Sequence, residues 1–503
     1  MEVYLIGAGP GDPGLLTIRG RDALAEADVV VYDYLASDTL LNYARPDAER
    51  IYVGKKAGDH TLPQSGINRL IVEKAKEGKI VARLKGGDPY IFGRGGEEAE
   101  ELLEAGVPFE EIPGISSTIA GPAYAGIPLT HRSFASSVTL ITGHENPDKP
   151  GSVHNWKALA ASASTLVFVM GMKNLPDIAH NLIAAGMAAD TPAALVHWGT
   201  TPRHRSLVST LESLPEAAVA NGFTNPSVII VGKVVSLHDR LNWFERKPLL
   251  GRSVVVTRAR EQASGLADRL AALGAEVIQF PTIEIRPLAD YTAVDATLGR
   301  LDDFDWLIFT SANGVKCFWE RLDRAGKDTR ALGSVRVAAI GPATAEALRS
   351  RGVRPDFVPD AYIAESVAQG LLEQGMEGRK VLLARAAVAR DVLPDTLRKA
   401  GADVLVLPVY ETVPAHARLD EVTERLQKGT LDYVTFGSSS TVDNFFARIP
   451  ESLVRESGVR LACIGPVTAK TLGNHGLTAS VMPETFTIPA LVDAIVSDAG
   501  ERA

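Results

Sequence analysis

Short apolar runs, each followed by a longer stretch with apolar residues at helical spacing, recur along the whole chain. The runs "VYLIG", "DVVVYD", "RIYVG", "KIVARL", "VTLITG", "TLVFVMG", "AALVHWG" and "SVIIVGKVV" are rich in β-branched residues, and many end in glycine. Such runs predict strands, and their alternation with helical stretches predicts an α/β fold of parallel or mixed sheets covered by helices. In open α/β sheets, ligands sit beyond the carboxyl ends of strands, where these glycine loops fall. The rhythm breaks at "HDRLNWFERKPLLGR", His238–Arg252. A domain boundary near Arg246 follows, dividing the chain into 1–246 and 247–503.

Beyond the boundary the pattern repeats itself. "GRSVVVTRAREQASGLADRLAALGAEVIQFP" from Gly251 matches "GRKVLLARAAVARDVLPDTLRKAGADVLVLP" from Gly378, aligning Arg258 with Arg385. "DWLIFTSANGVKCF" from Asp305 matches "DYVTFGSSSTVDNF" from Asp432, and "VAAIGPATAEAL" from Val337 matches "LACIGPVTAKTL" from Leu461. Three blocks in one order imply a duplicated α/β unit, hence two similar lobes with a cleft between them.

Composition narrows the classes. At 503 residues the chain exceeds what one core organises. A formal charge of -9 argues against nucleic acid as a partner, so any acidic ligand must meet Arg and Lys gathered locally. The longest apolar run, "STLVFVMGM", is too short to span a bilayer. Met1 leads at once into the first strand, so no targeting segment is expected and the expected location is cytoplasmic. Cys317 and Cys463 sit in apolar patterns and read as two buried thiols. No metal-ligand spacing surrounds them, and no metal is expected.

The first glycine loop, "GAGPGDPG", contains Gly9-Pro10-Gly11-Asp12-Pro13-Gly14, a literal G-x-G-x-x-G, and the next strand ends on Asp33. A dinucleotide site needs backbone N–H groups aimed at a pyrophosphate. Pro10 and Pro13 have none, and Asp12 would set a carboxylate against the phosphates. The loop therefore reads as a stiff, shaped wall of some other pocket. "LKGGDPYIFGRGGEEAEEL" places Gly86, Gly87 and Asp88 at a strand end, and "PGISSTIAGPAYAGIPLTHR" places Ser116 and Ser117 at a helix start. Each alone is also an ordinary turn or cap.

Together with "VVVYDYL", "VGKKAG", "VFVMGM" and "HWGTTP", these segments make residues 1–246 resemble uroporphyrinogen-III C-methyltransferase, of the tetrapyrrole methylase superfamily. The resemblance implies two α/β lobes, about 1–115 and 116–246, with S-adenosylmethionine held in the cleft between them. It implies cofactor contacts from Pro10, Gly86, Gly87, Asp88, Ile91, Ser116, Ser117, Met170 and Gly199. It makes Asp33 a base, Lys55 a proton donor, and the protein a homodimer formed through this half. His204, Asn225 and Ser227 depart from the family pattern at the substrate rim and adenine pocket.

The second half resembles uroporphyrinogen-III synthase through "FTSANGV", "IGPATAEAL", "LPVYETV", "FGSSSTV", "IGPVTAKTL" and the repeated block itself. The resemblance implies lobes of about 251–285 plus 412–503, and 286–411, joined by two strands. Hydrogen-bond donors of the cleft would be Ser311, Asn313, Thr344, Tyr410, Ser438, Ser439 and Thr468, with Tyr410 assisting hydroxyl departure. Thr344 and Thr468, after Gly-Pro at helix starts, are expected both to cap their helices and to donate to a propionate.

The implied reactions cyclise hydroxymethylbilane to uroporphyrinogen III with ring D inverted, then methylate it at C-2 and C-7 to precorrin-2, on the way to sirohaem or cobalamin-type rings. Methyl transfer from a sulfonium needs alignment and one positioned acid/base group. Substrates with eight carboxylates call for arginines. Candidates are Arg83, Lys85, Arg94, Arg132, Arg203 and Arg205 in the first half, and Arg258, Arg260, Arg385 and Arg390 in the second. His131 and His197 are expected to be structural or rim residues. A different reading keeps a methylase of another corrinoid intermediate, fused to a non-catalytic two-lobed tetrapyrrole-binding module.

Overall fold

The computed structural model describes residues 2–34, 38–54, 62–144, 154–162, 164–257, 260–360, 363–414 and 418–501. Among them the strands form four sheets. The first is fully parallel, in the order Glu49–Tyr52, Val29–Tyr32, Ile80–Lys85, Glu2–Gly7 and Phe109–Ile112. Helices cover both faces of a parallel sheet, so its strands bury every side chain rather than alternate. Accordingly Val3, Leu5, Ile6, Val30 and Val31 are all inaccessible to solvent.

The second sheet is mixed: Val138–Thr142, Thr165–Val169, Ser227–Val231, Pro192–His197 and Arg205–Thr210. Its first pair is parallel and the rest are antiparallel. Phe109–Ile112 and Arg205–Thr210 are strands that the apolar pattern does not flag. Both are edge strands, where one flank meets solvent and polar residues replace the apolar run.

The repeat takes physical form in the last two sheets. One runs Glu276–Gln279, Ser253–Val256, Tyr433–Phe436, Arg460–Cys463; the other runs Asp403–Pro414, Lys380–Ala386, Trp306–Phe309, Arg336–Ala339. The duplicated blocks thus occupy the same places in the same order. Ile283–Arg286 extends the second of these sheets, pairing antiparallel with the far end of Asp403–Pro414. The lobe limits 285 and 412 implied by the resemblance fall inside this shared ladder.

Cys463 is fully buried, and burial pushes its thiol up to about 12. Cys317 is only half-buried, which corrects the expectation of two buried thiols; neither forms a disulfide. Among the described residues no helix is long and apolar enough to cross a membrane.

Candidate active sites

Loops from the carboxyl ends of the first sheet face loops of the second across a cavity of about 1920 Å³. Asp33, Pro10, Gly86, Gly87, Ile91, Ser116, Ser117, Met170 and Gly199 line it. Asn225 and Ser227 do so as well, on the opposite rim. Asp88 is set back: its carboxylate is buried and accepts hydrogen bonds from the N–H groups of Tyr90, Ile91 and Gly114 at 2.9–3.0 Å. It fixes the loop that presents Gly86, Gly87 and Ile91. Lys55 lies outside the described residues.

The proline-stiffened loop holds its shape through close backbone contact. Gly9 and Gly87 exchange two backbone hydrogen bonds of 3.1 and 2.8 Å, tying two strand ends together. A Cβ at Gly7 would lie 2.4 Å from Gly114 Cα, so only glycine permits this approach. The Asp12 carboxylate is engaged within the protein. Its Oδ1 accepts from Gly14 N–H at 2.8 Å and its Oδ2 from the Tyr124 hydroxyl at 2.7 Å. A carboxylate that holds the turn together leaves no phosphate cradle.

Beneath Asp33 lies a buried charge network. Arg83 donates to Asp33 Oδ2 at 3.1 Å and to Glu98 Oε1 at 3.3 Å, and Lys85 donates to the same Glu98 oxygen at 2.7 Å. Gln64 adds a fourth bond at 2.9 Å. Glu98 is fully buried and its Oε2 has no hydrogen-bond partner among the described residues. Burial, then the neighbouring Arg83 charge, lowers the affinity of Lys85 for its proton. Arg83 and Lys85 are therefore committed to holding Glu98 and Asp33 rather than to meeting substrate. Arg94 is exposed and paired with Glu97 at 2.6 Å.

Residues with left-handed backbone gather at this cavity. Phe92, Met170, Trp198 and Arg418 have φ between 46° and 59° and line it, and Thr200 (φ 72°) adjoins it. A β-branched residue there is costly, and such positions concentrate at binding sites. Thr200 is locked by its surroundings: its Oγ1 accepts from Asp12 N–H at 3.1 Å. Trp198 packs edge-on against Tyr34 and carries the Arg203 guanidinium 4.0 Å from its ring centre.

His204 is buried, with Nε2 3.3 Å from Glu245 Oε1, tying the connecting segment to the first half. Burial alone would raise the Glu245 carboxyl. Hydrogen bonds from His204, Ser206 and Asn242 outweigh it and hold the group at about 2. His197 contacts Thr224 O and Ser227 Oγ at 3.0 Å, and burial lowers it further below neutrality.

In the second half, the Ser311 Oγ and Tyr410 hydroxyl share a 3.0 Å hydrogen bond. Ser311 also caps the helix Ala312–Arg324 by accepting from Gly314 N–H. Tyr410 is almost fully buried, which raises its pKa and keeps the phenol protonated. Asn313, two residues on, lines the large cavity. Ser438, the repeat counterpart of Ser311, forms a capping box with Thr441. Ser439 receives the Thr471 hydroxyl at 2.8 Å.

Three expectations for this half need correction or lie beyond description. Thr344 and Thr468 do not cap their helices: Gly341 and Gly465 stand at the N-caps, and both threonines are buried inside the first turn. The extended backbone of the Gly-Pro step sets the helix start three residues earlier than a threonine cap requires. Arg385 is buried and binds Asp391 at 2.6 Å and the Arg390 carbonyl at 2.9 Å, while its Nε has no partner among the described residues. Arg258 lies outside the described residues. Among the described residues no cluster of three or more His, Cys, Asp or Glu is placed to hold a metal ion.

Sequence reasoning passed over Glu98, Thr200, Trp198 and Tyr124. A signal existed for Glu98, which shares a helix face with buried Leu102 at i+4, where a carboxylate needs a partner. None marked Thr200 or Trp198, whose backbone conformation is set by loop packing.

Residues 2–215 match the family of tetrapyrrole (corrin/porphyrin) methylases, and residues 264–493 match uroporphyrinogen-III synthase HemD. Porphyrin biosynthesis protein HemD of Ruminiclostridium josui is 39% identical over 500 residues, 99% of this chain and 98% of the relative. A uroporphyrinogen-III C-methyltransferase of Bacillus subtilis (strain 168) is 44% identical over 359 residues, 70% of this chain and 73% of the relative. Among solved structures, uroporphyrin-III C-methyl transferase from Thermus thermophilus complexed with S-adenyl homocysteine is 39% identical. It aligns with 47% of this chain and 100% of its own, at a TM-score of 0.40.

Proposed function

The chain belongs to the tetrapyrrole methylase family through its first half and to the uroporphyrinogen-III synthase family through its second, and on that premise we propose that it performs both reactions. The synthase half closes hydroxymethylbilane to uroporphyrinogen III with ring D inverted. The methylase half then adds methyl groups at C-2 and C-7, giving precorrin-2. The observation that carries the reading is the Asp33 carboxylate, fixed by a buried arginine at the mouth of a glycine-walled cavity.

The residues present suit S-adenosylmethionine. Gly9, Gly86, Gly87 and Gly199 bring bare backbone to the wall, and a Cβ at Gly87 would meet nothing nearer than 3.8 Å. Ser116 and Ser117 would hold the polar amino-acid end, and Ile91 and Met170 the apolar part. The cofactor supplies the methyl group. Alignment and exclusion of water do most of what such a displacement needs. Asp33 takes up the proton that the methylated pyrrole must lose, and Arg83 holds it in place. We assign Lys55 the role of proton donor on the resemblance alone.

In the synthase half, Tyr410 acts as a hydrogen-bond donor to the departing hydroxyl. Its raised pKa keeps the proton available, and Ser311 sets its direction. Asn313, Ser438, Ser439, Thr344 and Thr468 serve as neutral donors around the bilane. The location proposed is cytoplasmic and the assembly a homodimer through the methylase half, which light scattering tests directly.

One assay tests the whole reading: freshly generated hydroxymethylbilane, with and without S-adenosylmethionine, products resolved by isomer and methyl count. Isomer III alone without cofactor, and dimethylated product with it, is the expected result. Methylation only of ready-made isomer III would reduce the second half to a binding module.

A further inference from the structure

The cavity does not end with the methylase half. Its far wall is the outer edge of the first synthase lobe, the strand Glu276–Gln279 and the helix above it, and it runs on through Ile283–Ile285 to Asn313. Asn313 stands two residues from Ser311, which meets the Tyr410 hydroxyl at 3.0 Å. One space therefore reaches from Asp33 to the doorstep of the synthase cleft. Its volume of about 1920 Å³ exceeds the roughly 300–1,000 Å³ of a site built for one small ligand. The two halves are joined beside it by a hydrogen bond from Gly251 N–H to the Pro202 carbonyl, 3.1 Å.

The two walls carry opposite charge. On the synthase side stand Asp268, Glu276, Glu284 and Glu421 against Arg418 and Arg425. Those two arginines are already neutralised: Arg425 chelates Glu276 at 2.7 and 2.9 Å, and Arg418 lies 3.6 Å from Glu421. Glu284 in turn meets Arg286 at 3.3 Å, which leaves Asp268 as the acid of this wall with no ion-pair partner among the described residues. On the methylase side stand Arg50, Lys173 and Arg203, none of them ion-paired with another described residue. Asp33, the acid of that wall, is held by Arg83. A low-dielectric cleft with acid on one side and unpaired base on the other carries a field that moves a polyanion one way.

We propose that this cavity is a transfer chamber, in which the cyclised polycarboxylate passes from the synthase cleft to the methylase cleft without mixing with bulk solution, directed by the charge difference between its walls. The proposal rests on the two activities assigned above. It gives the synthase lobe a second role: its outer face closes the methylase site.

The test is isotopic competition with the full chain. Unlabelled hydroxymethylbilane and S-adenosylmethionine are supplied together with a pool of carbon-13-labelled uroporphyrinogen III, and early dimethylated product is weighed by mass spectrometry. Unlabelled product at least fivefold above the bulk isotope ratio is the expected result. Product that tracks the bulk ratio overturns the proposal while leaving both activities standing. Controls with each substrate alone establish those activities; absence of either overturns the functional reading and the chamber with it. A second chain, Asp268→Lys with Glu284→Lys, reverses the wall charge at two exposed positions. The unlabelled excess should fall at least twofold, and an unchanged excess overturns the directing role of the walls.

Discussion

Replacing Glu98 by glutamine isolates the charge network under the methylase site. The substitution keeps the shape of the side chain and removes its charge. Two cations then remain buried: Arg83, with Asp33 as its sole acidic partner among the described residues, and Lys85, with none within ion-pair distance. Removing one member of a buried ion pair costs about 3–5 kcal/mol, because the other charge is left unsolvated. Lys85 sets the lower end of that range here. Burial and Arg83 already lower its proton affinity, so it can shed its proton when Glu98 no longer holds it. At neutral pH the expected cost is about 3 kcal/mol, a large share of the ~5–15 kcal/mol that keeps a domain folded.

The sign of the pH dependence follows from linkage. A lysine whose folded pKa lies below its unfolded value releases a proton on folding, so stability rises with pH through that window. The variant widens the window downward, and its deficit should shrink steadily as pH is raised from 7 towards 10. Because the chain has several cooperative units, a single melting temperature is the wrong readout. Hydrogen exchange of the strand Ile80–Lys85 reports the affected unit, with the Ser253–Val256 strand as an internal control. A loss of protection below about 1 kcal/mol at pH 7, or a deficit that does not change with pH, would refute the reasoning.

Asp33→Asn should lower the methyl-transfer kcat by about 10²–10⁴, the usual worth of a positioned acid/base group, with cyclisation unchanged in the same preparation. Tyr410→Phe should slow cyclisation by about tenfold and leave methylation of ready-made isomer III alone; the lost Ser311 hydrogen bond is worth ~1 kcal/mol of stability. Gly11→Ala places a methyl group 2.4 Å from Thr201 Cγ2 at a φ of 144°. It should raise the KM for tetrapyrrole or unfold the loop, and limited proteolysis separates the two. Glu245, held at about 2, favours folding above its ordinary range near 4.5, and that contribution disappears as pH falls through 2. Glu245→Gln should therefore differ most from the parent above pH ~5 and converge with it near pH ~2 in acid denaturation.

How much was legible in the residues can be judged from particular elements. The parallel strands announced themselves because a strand covered on both faces must be apolar throughout, as "VYLIG" and "KIVARL" are. The edge strands "FEEI" and "RSLVST" did not, since one open flank admits polar residues. The refusal of the dinucleotide motif was also legible, from two prolines that lack an N–H. Glu98 was half legible, a carboxylate on an apolar helix face. The helix caps at Thr344 and Thr468 were misread because a Gly-Pro start moves the cap upstream.

By itself the sequence determined the local grammar: strand and helix alternation, the duplication, and glycine loops at strand ends. It determined these because each depends on residues close together in the chain, through periodicity, φ preference and missing donors. Tertiary structure alone decided which charges are spent and which are free. Arg83, Lys85 and Arg385 look like substrate ligands in one dimension, yet each is buried against an acid or a carbonyl of its own domain. Arg50, Lys173 and Arg203, from a strand, a short helix and a turn, face one cavity with no ion-pair partner among the described residues. Tertiary structure also decided that the edge of the synthase lobe closes the methylase cleft. Coulomb energy and burial depend on distances in space, and residues 10, 203 and 425 become neighbours of one space only when four sheets have assembled around it.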